Sequence, residues 1–186
     1  MRVAIYCGSA AGNSPEYANG VTALAVYLAG QGIDIVYGGG NVGLMGVIAN
    51  AALQAGGNVI GVIPAHLESK EIAHTGLTEL HVVANMHERK AKMSELADAF
   101  VALPGGVGTL EEMFEVWTWG QLGLHSKPCA FYNLNGFYDS LFTMVDSMQQ
   151  AGFVKQSYID MIIKESTPES LLAAVKAYRA PQPKWS

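Results

Sequence analysis

A chain of 186 residues, half of them hydrophobic and 15% charged, is long enough to bury a full core without disulfide or metal staples. Residues 1–180 are therefore expected as one domain, with a loose, twice-proline-interrupted tail at 181–186. The net charge of −5 and the lack of a basic cluster argue against nucleic acid as a partner, because phosphate backbones are held by many Lys and Arg side chains. No apolar run approaches the roughly 18 residues of a membrane span, and Met1-Arg2-Val3-Ala4-Ile5-Tyr6 has no leader pattern, so a cytoplasmic protein without membrane contact is expected.

Short apolar runs alternate with helical patterns from end to end. Strands are expected near 3–7, 33–37, 58–63, 80–83, 99–103, 129–133 and 159–163, and helices near 15–29, 43–55, 86–96, 110–122, 137–149 and 168–178. This alternation predicts an α/β fold with a parallel sheet of about seven strands and helices on both faces. Glycine-rich segments follow strands rather than precede them, and in an open α/β sheet ligands bind beyond the strand C-terminal ends. Three separate segments thus point to one crevice.

The first is Gly8-Ser9-Ala10-Ala11-Gly12-Asn13-Ser14-Pro15, small and hydroxylic enough to wrap a ribose or phosphate. It is equally a plain strand-to-helix loop with Ser14 as N-cap. The second, Gly38-Gly39-Gly40-Asn41-Val42-Gly43-Leu44-Met45-Gly46, carries an entropy cost that a simple turn does not need, so its backbone is expected to approach a ligand or a neighbouring strand closely. Next comes the helix opening Met86-His87-Glu88-Arg89-Lys90, where Met86, Met93, Leu96 and Ala97 mark the buried stripe. Arg89 falls inside that stripe and Lys90 borders it, which favours contact with an anion over a solvated charged face.

The most informative stretch is Pro104-Gly105-Gly106-Val107-Gly108-Thr109-Leu110-Glu111-Glu112, which follows the buried run 99–103 and opens the next helix. Glycines there let backbone N–H groups converge on an anion at the positive end of the helix. It is neither a Walker loop, which would need Gly-Lys-Ser/Thr, nor a G-x-G-x-x-G fingerprint. The competing reading is a capping box, with Glu112 reaching back from Thr109-x-x-Glu112. Glu111, Glu115 and Thr118 share one helix edge, and Glu112 opens the edge nearest the glycine turn. Met113, Phe114, Trp117, Trp119, Leu122 and Leu124 surround the helix with more apolar surface than one core face requires, so it is either central or part of a dimer interface.

Cys7 and Cys129 lie in apolar runs and read as buried reduced thiols; the five histidines show no ligand spacing, so no metal is expected. No lysine stands out as a Schiff-base residue, and no cofactor is expected.

These segments together resemble the LOG family of cytokinin riboside 5′-monophosphate phosphoribohydrolases, long labelled lysine decarboxylases. The resemblance rests on the 104–112 stretch, which matches PGGxGTxxE, on Met86-His87-Glu88-Arg89-Lys90, and on Cys7-Gly8-Ser9 and Tyr37 through Gly46; it extends to about Leu141. It implies a Rossmann-like, doubly wound domain that forms a homodimer and hydrolyses the N-glycosidic bond of a nucleoside 5′-monophosphate, giving base and ribose 5-phosphate. By position, Arg89 and Glu112 correspond to the catalytic pair. Gly105, Gly106, Val107, Gly108 and Thr109 correspond to the phosphate and ribose loop. Glu71, Lys90 and Thr118 are implied as further substrate contacts, and Ser9, Gly40, Met45, Met86 and Glu111 complete the expected substrate-binding set. The alternative on the same fold is a non-catalytic nucleotide or molybdenum-cofactor carrier.

Overall fold

The computed structural model describes residues 1–68 and 73–181. Chain order runs β1 (Arg2–Tyr6), α1 (Pro15–Gly30), β2 (Asp34–Tyr37), α2 (Gly43–Gln54), β3 (Val59–Pro64), α3 (Ala65–Glu68), β4 (Glu79–Val83) and α4 (Met86–Leu96). It continues through β5 (Ala99–Ala102), α5 (Val107–Gln121), β6 (Cys129–Tyr132), α6 (Asp139–Gln150), α7 (Gln156–Ile159), β7 (Ile162–Glu165) and α8 (Pro168–Ala177). The seven strands form one sheet in the order β4-β3-β2-β1-β5-β6-β7, and every pair is parallel. Their near-continuous apolar composition is what a sheet buried on both faces demands.

The period of two divides each strand between two cores. Val3 and Ile5 face α1, α2 and α8 together with Ile35, Tyr37 and Val101. Ala4 and Tyr6 face α4 to α7 with Val36, Phe100 and Phe131. The chain is Rossmann-like: it winds outward from β1 to β4, then returns to place β5 on the free side of β1, in register Val3↔Ala99 and Ile5↔Val101. The loops after β1 and β5 therefore diverge toward opposite faces, which opens a crevice at their C-terminal ends.

The expected strands and long helices form, with two informative shifts. The last strand spans Ile162–Glu165 rather than 159–163, because 156–159 coils into α7. Ile159 and Met161 are buried there as core-filling residues, and Trp117 Nε1 donates to the Tyr158 carbonyl at 3.0 Å. Helix α5 begins at Val107, three residues before the expected start, so the glycine turn is itself the helix N-terminus. Among the described residues no helix is long and apolar enough to cross a membrane.

Candidate active site at the switch point

The crevice is built on two touching backbone turns. Leu103 N–H donates to the Tyr6 carbonyl at 2.9 Å and Gly8 N–H to the Pro104 carbonyl at 3.1 Å, so the loops leaving β1 and β5 run locked together before they part. A Cβ on Gly105 would strike the Thr109 side chain and lie 2.9 Å from Gly8 N, so glycine is required for this approach. Gly106 is the N-cap of α5 and supplies no side-chain acceptor. The first N–H groups of α5 are consequently left for a ligand, and the helix dipole favours an anionic one. This disposes of the capping-box reading: Thr109 is the third residue of the helix, not its cap. It is buried, with its side chain against Gly105.

Opposite this turn stands α4, started by Asn85, whose Oδ1 accepts from Glu88 N–H at 3.0 Å while Glu88 Oε2 accepts from Ala84 N–H at 2.9 Å. That cap sets the helix phase so that Arg89, three residues after Met86, points inward with only 5% of its surface exposed. Its Nη2 donates to the Gly38 carbonyl at 2.8 Å, and its Nη1 lies 3.6 Å from Met86 Sδ. A Cβ on Gly38 would occupy the position of the guanidinium, which accounts for the first glycine of the triple run: the close neighbour is Arg89.

Between turn and helix lies a cavity of about 360 Å³. Arg89, Glu111 and Glu112 supply its charge, Gly106, Val107, Gly108 and Thr109 its edge at the α5 N-terminus, and Cys7, Gly8, Ser9, Leu67 and Met86 the remaining wall. Burial, then the nearby Glu112 carboxylate, push the Cys7 thiol far above its ordinary range, with Arg89 opposing. A raised thiol pKa disfavours the thiolate, the nucleophilic form. Burial and then Glu112 likewise raise the Tyr6 phenol.

Lys90 is buried beside the cavity rather than in its wall. Its Nζ donates to Glu111 Oε1 at 2.6 Å and to Glu115 at 3.1 Å. Burial by itself would lower the Lys90 pKa; the hydrogen bonds it donates to Glu111 and Glu115, with their charge, outweigh burial, and the net shift is upward. The ammonium is therefore a fixed charge that holds Glu111 at the rim.

The other expected residues are spread around this centre. Gly105 lies behind the turn, in the wall of an adjoining apolar cavity of about 240 Å³ with Tyr17, Leu44 and Phe137. Gly40 is buried within the loop after β2, and Met45 is buried on α2 beside Gly38. Thr118 is exposed farther along α5, outside the cavity. Glu71 lies outside the described residues. Leu67, on the short helix α3, and the partnership of Glu115 with Lys90 had no signal in the sequence, since both depend on contacts between separate elements. Among the described residues no cluster of His, Cys, Asp and Glu could hold a metal ion.

Fold and site together define a Rossmann-like α/β protein in which an uncapped helix N-terminus and the buried Arg89 border one cavity with Glu111 and Glu112. Residues 45–175 match the family model described as possible lysine decarboxylase. A probable cytokinin riboside 5′-monophosphate phosphoribohydrolase of Oryza sativa subsp. japonica, LOGL3, is 44% identical over 95% of this chain and 84% of its own length. The Arabidopsis thaliana enzyme LOG2 is 45% identical over 95% and 83%, and that of Rhodococcoides fascians 46% over 94% and 89%. The chain belongs to this LOG family of cytokinin riboside 5′-monophosphate phosphoribohydrolases. Among solved structures, the molybdenum cofactor binding protein of Rippkaea orientalis matches with a TM-score of 0.70 over 95% of both chains, and the Chlamydomonas reinhardtii carrier with 0.70 over 94% and 95%. Both are 20% identical and share the fold alone.

Proposed function

We propose that the protein hydrolyses the N-glycosidic bond of a nucleoside 5′-monophosphate, a cytokinin riboside 5′-monophosphate or AMP, to free base and ribose 5-phosphate. The observation that carries this reading is that Arg89 and Glu112 open into the same cavity as the uncapped N-terminus of α5. The 5′-phosphate binds the N–H groups of Gly106 to Thr109 in the turn shaped by Gly105, which leaves C1′ between Glu112 and Arg89. Ser9 and Met86 contact the nucleotide from the wall, Glu111 from the rim, and Lys90 secures Glu111; Gly40 and Met45 shape the loop that seats Arg89, the family resemblance supports Glu71 as a further contact, and Thr118, outside the cavity, is given no contact.

Cleavage builds oxocarbenium character on the ribose, and the Glu112 carboxylate stabilises that charge and directs water to C1′. Arg89 stabilises the electron density that collects on the departing purine. As a guanidinium it is too basic to be a ready proton donor, so its part is electrostatic. The chain acts without cofactor or metal, as one domain through residue 180; residues 182–186 of the expected tail lie outside the described residues. A homodimer is supported by the exposed apolar end of α5 and the loop after it, Leu122 at 40% and Leu124 at 70% exposure. The acidic composition supports a small-molecule substrate rather than nucleic acid, and the enzyme is read as cytoplasmic and without membrane contact.

Replacing Glu112 by Gln keeps size and hydrogen bonding but removes the charge. The expected outcome is intact AMP binding by calorimetry with turnover reduced on the order of 10²- to 10⁴-fold. Unchanged turnover in Glu112→Gln would remove Glu112 from the chemistry, and binding without turnover in the wild type would make the chain a carrier.

A further inference from the structure

The three carbonyls of Gly38, Gly39 and Gly40 each accept a different donor. Gly38 takes Arg89 Nη2 at 2.8 Å, Gly39 takes the backbone N–H of His74 at 3.0 Å, and Gly40 takes the Tyr37 hydroxyl at 3.0 Å. An isolated antiparallel bridge between Gly40 and Ala73 adds to the clasp. The loop that seats the guanidinium is thus itself gripped by Ala73 and His74, from a segment far away in sequence.

His74 is only 8% exposed, and both of its ring nitrogens are used. Gly76 N–H donates to Nδ1 at 3.0 Å, which leaves the proton on Nε2, donated to Asn50 Oδ1 at 3.0 Å. Asn50 stands on α2, and its Nδ2 donates to Asn41 Oδ1 at 3.3 Å, back in the loop that follows the three glycines. The imidazole therefore ties the strap at 73–76 to the rigid helix α2, and both ends of that tie grip the glycine loop. His74 does not line the cavity and touches no reacting atom.

We propose that His74, through Asn50, is a positioning residue of the hydrolase site: it fixes the Gly38–Gly40 loop and thereby the height and angle at which Arg89 meets the leaving base. The proposal rests on the phosphoribohydrolase reading above. Near-attack geometry is sensitive to displacements of about 1 Å transmitted from outside the reacting centre, with losses up to about 10²-fold. A strap-and-helix clamp supplies the rigidity that three glycines lack.

The test is a kinetic double-mutant cycle on AMP hydrolysis with His74→Ala and Arg89→Lys, plus His74→Gln and Asn50→Ala. His74→Ala and Asn50→Ala are expected to lower kcat about 10- to 100-fold with KM little changed. His74→Gln, whose amide can reach Asn50 Oδ1, is expected to recover most of the loss. In the Arg89→Lys background His74→Ala is expected to cost little more, because both changes act on one group. Additive losses in the cycle, or a His74→Ala protein with lowered Tm but wild-type kcat, would overturn the proposal. Crystal structures of the wild type and of Asn50→Ala test the clamp independently of activity: a guanidinium displaced from the Gly38 carbonyl supports it, and an unchanged contact refutes it. Absence of wild-type turnover would defeat the phosphoribohydrolase reading, and the crystallographic comparison would still decide whether the clamp exists.

Discussion

Arg89 owes its place to residues that do no chemistry. The Asn85 cap sets the turn of α4, Met86 lies against one edge of the guanidinium, and Gly38 accepts from it while lacking the Cβ that would strike it. Gly38→Ala is therefore expected to evict the guanidinium while leaving the fold intact. Its kcat for AMP should fall about 10²-fold, close to that of Arg89→Lys, and combining the two should cost little more. An active Gly38→Ala enzyme with an unshifted Arg89 would show that the loop has slack. The inward Arg was legible in the sequence because it stands three residues after the half-buried Met86 and four before the buried Met93. Its partner was only half legible: three glycines announced a close approach, but sequence spacing cannot say that the neighbour comes from α4.

At the scale of elements, the strands could be read because a parallel sheet buried on both faces writes itself as short continuous apolar runs. The same rule misplaced β7, since Ile159 and Met161 are apolar to fill a core beneath the α7 turn rather than to pair with β6. The start of α5 was misplaced because helix patterning weighs apolar spacing, and a glycine N-terminus open to a ligand carries none. Helix α5 is also tied at its far end. His125 Nε2 lies 2.7 Å from the Val116 carbonyl and Nδ1 accepts the Lys127 N–H at 3.1 Å, a bond available only to the neutral ring. Burial lowers the His125 pKa below its ordinary 6.5, the Val116 hydrogen bond opposing and Lys127 adding to the shift. The unfolded chain then binds more protons than the folded one as pH falls below 6.5, so stability is present above that value and declines through the window beneath it. Thermal melts between pH 7.5 and about 5 should show a declining Tm that is flatter in His125→Gln. Identical slopes in the two proteins would remove His125 from the acid sensitivity.

The whole molecule joins two design choices. Winding the sheet outward from β1 in both directions puts the switch point between β1 and β5, and the glycine turns after those strands occupy the crevice that this topology opens. The second is the exposed apolar end of α5 and its following loop, close in sequence to the site helix. Sedimentation velocity should find a dimer for the wild type, and Leu122→Asp combined with Leu124→Asp should give a monomer. A wild-type monomer, or a double variant that stays dimeric, would place any interface elsewhere. Fold class and crevice position were thus readable from strand and glycine order, whereas the Lys90–Glu111–Glu115 triad was not, because it forms only when α4 and α5 pack.

The central claim is tested most directly by incubating the purified protein with AMP and, separately, with isopentenyladenosine 5′-monophosphate, and resolving nucleotide, nucleoside and base by chromatography. Free base with an equal amount of ribose 5-phosphate is expected from at least one nucleotide, and no nucleoside. Release of nucleoside and phosphate instead, or no cleavage of either nucleotide while binding persists, would contradict it.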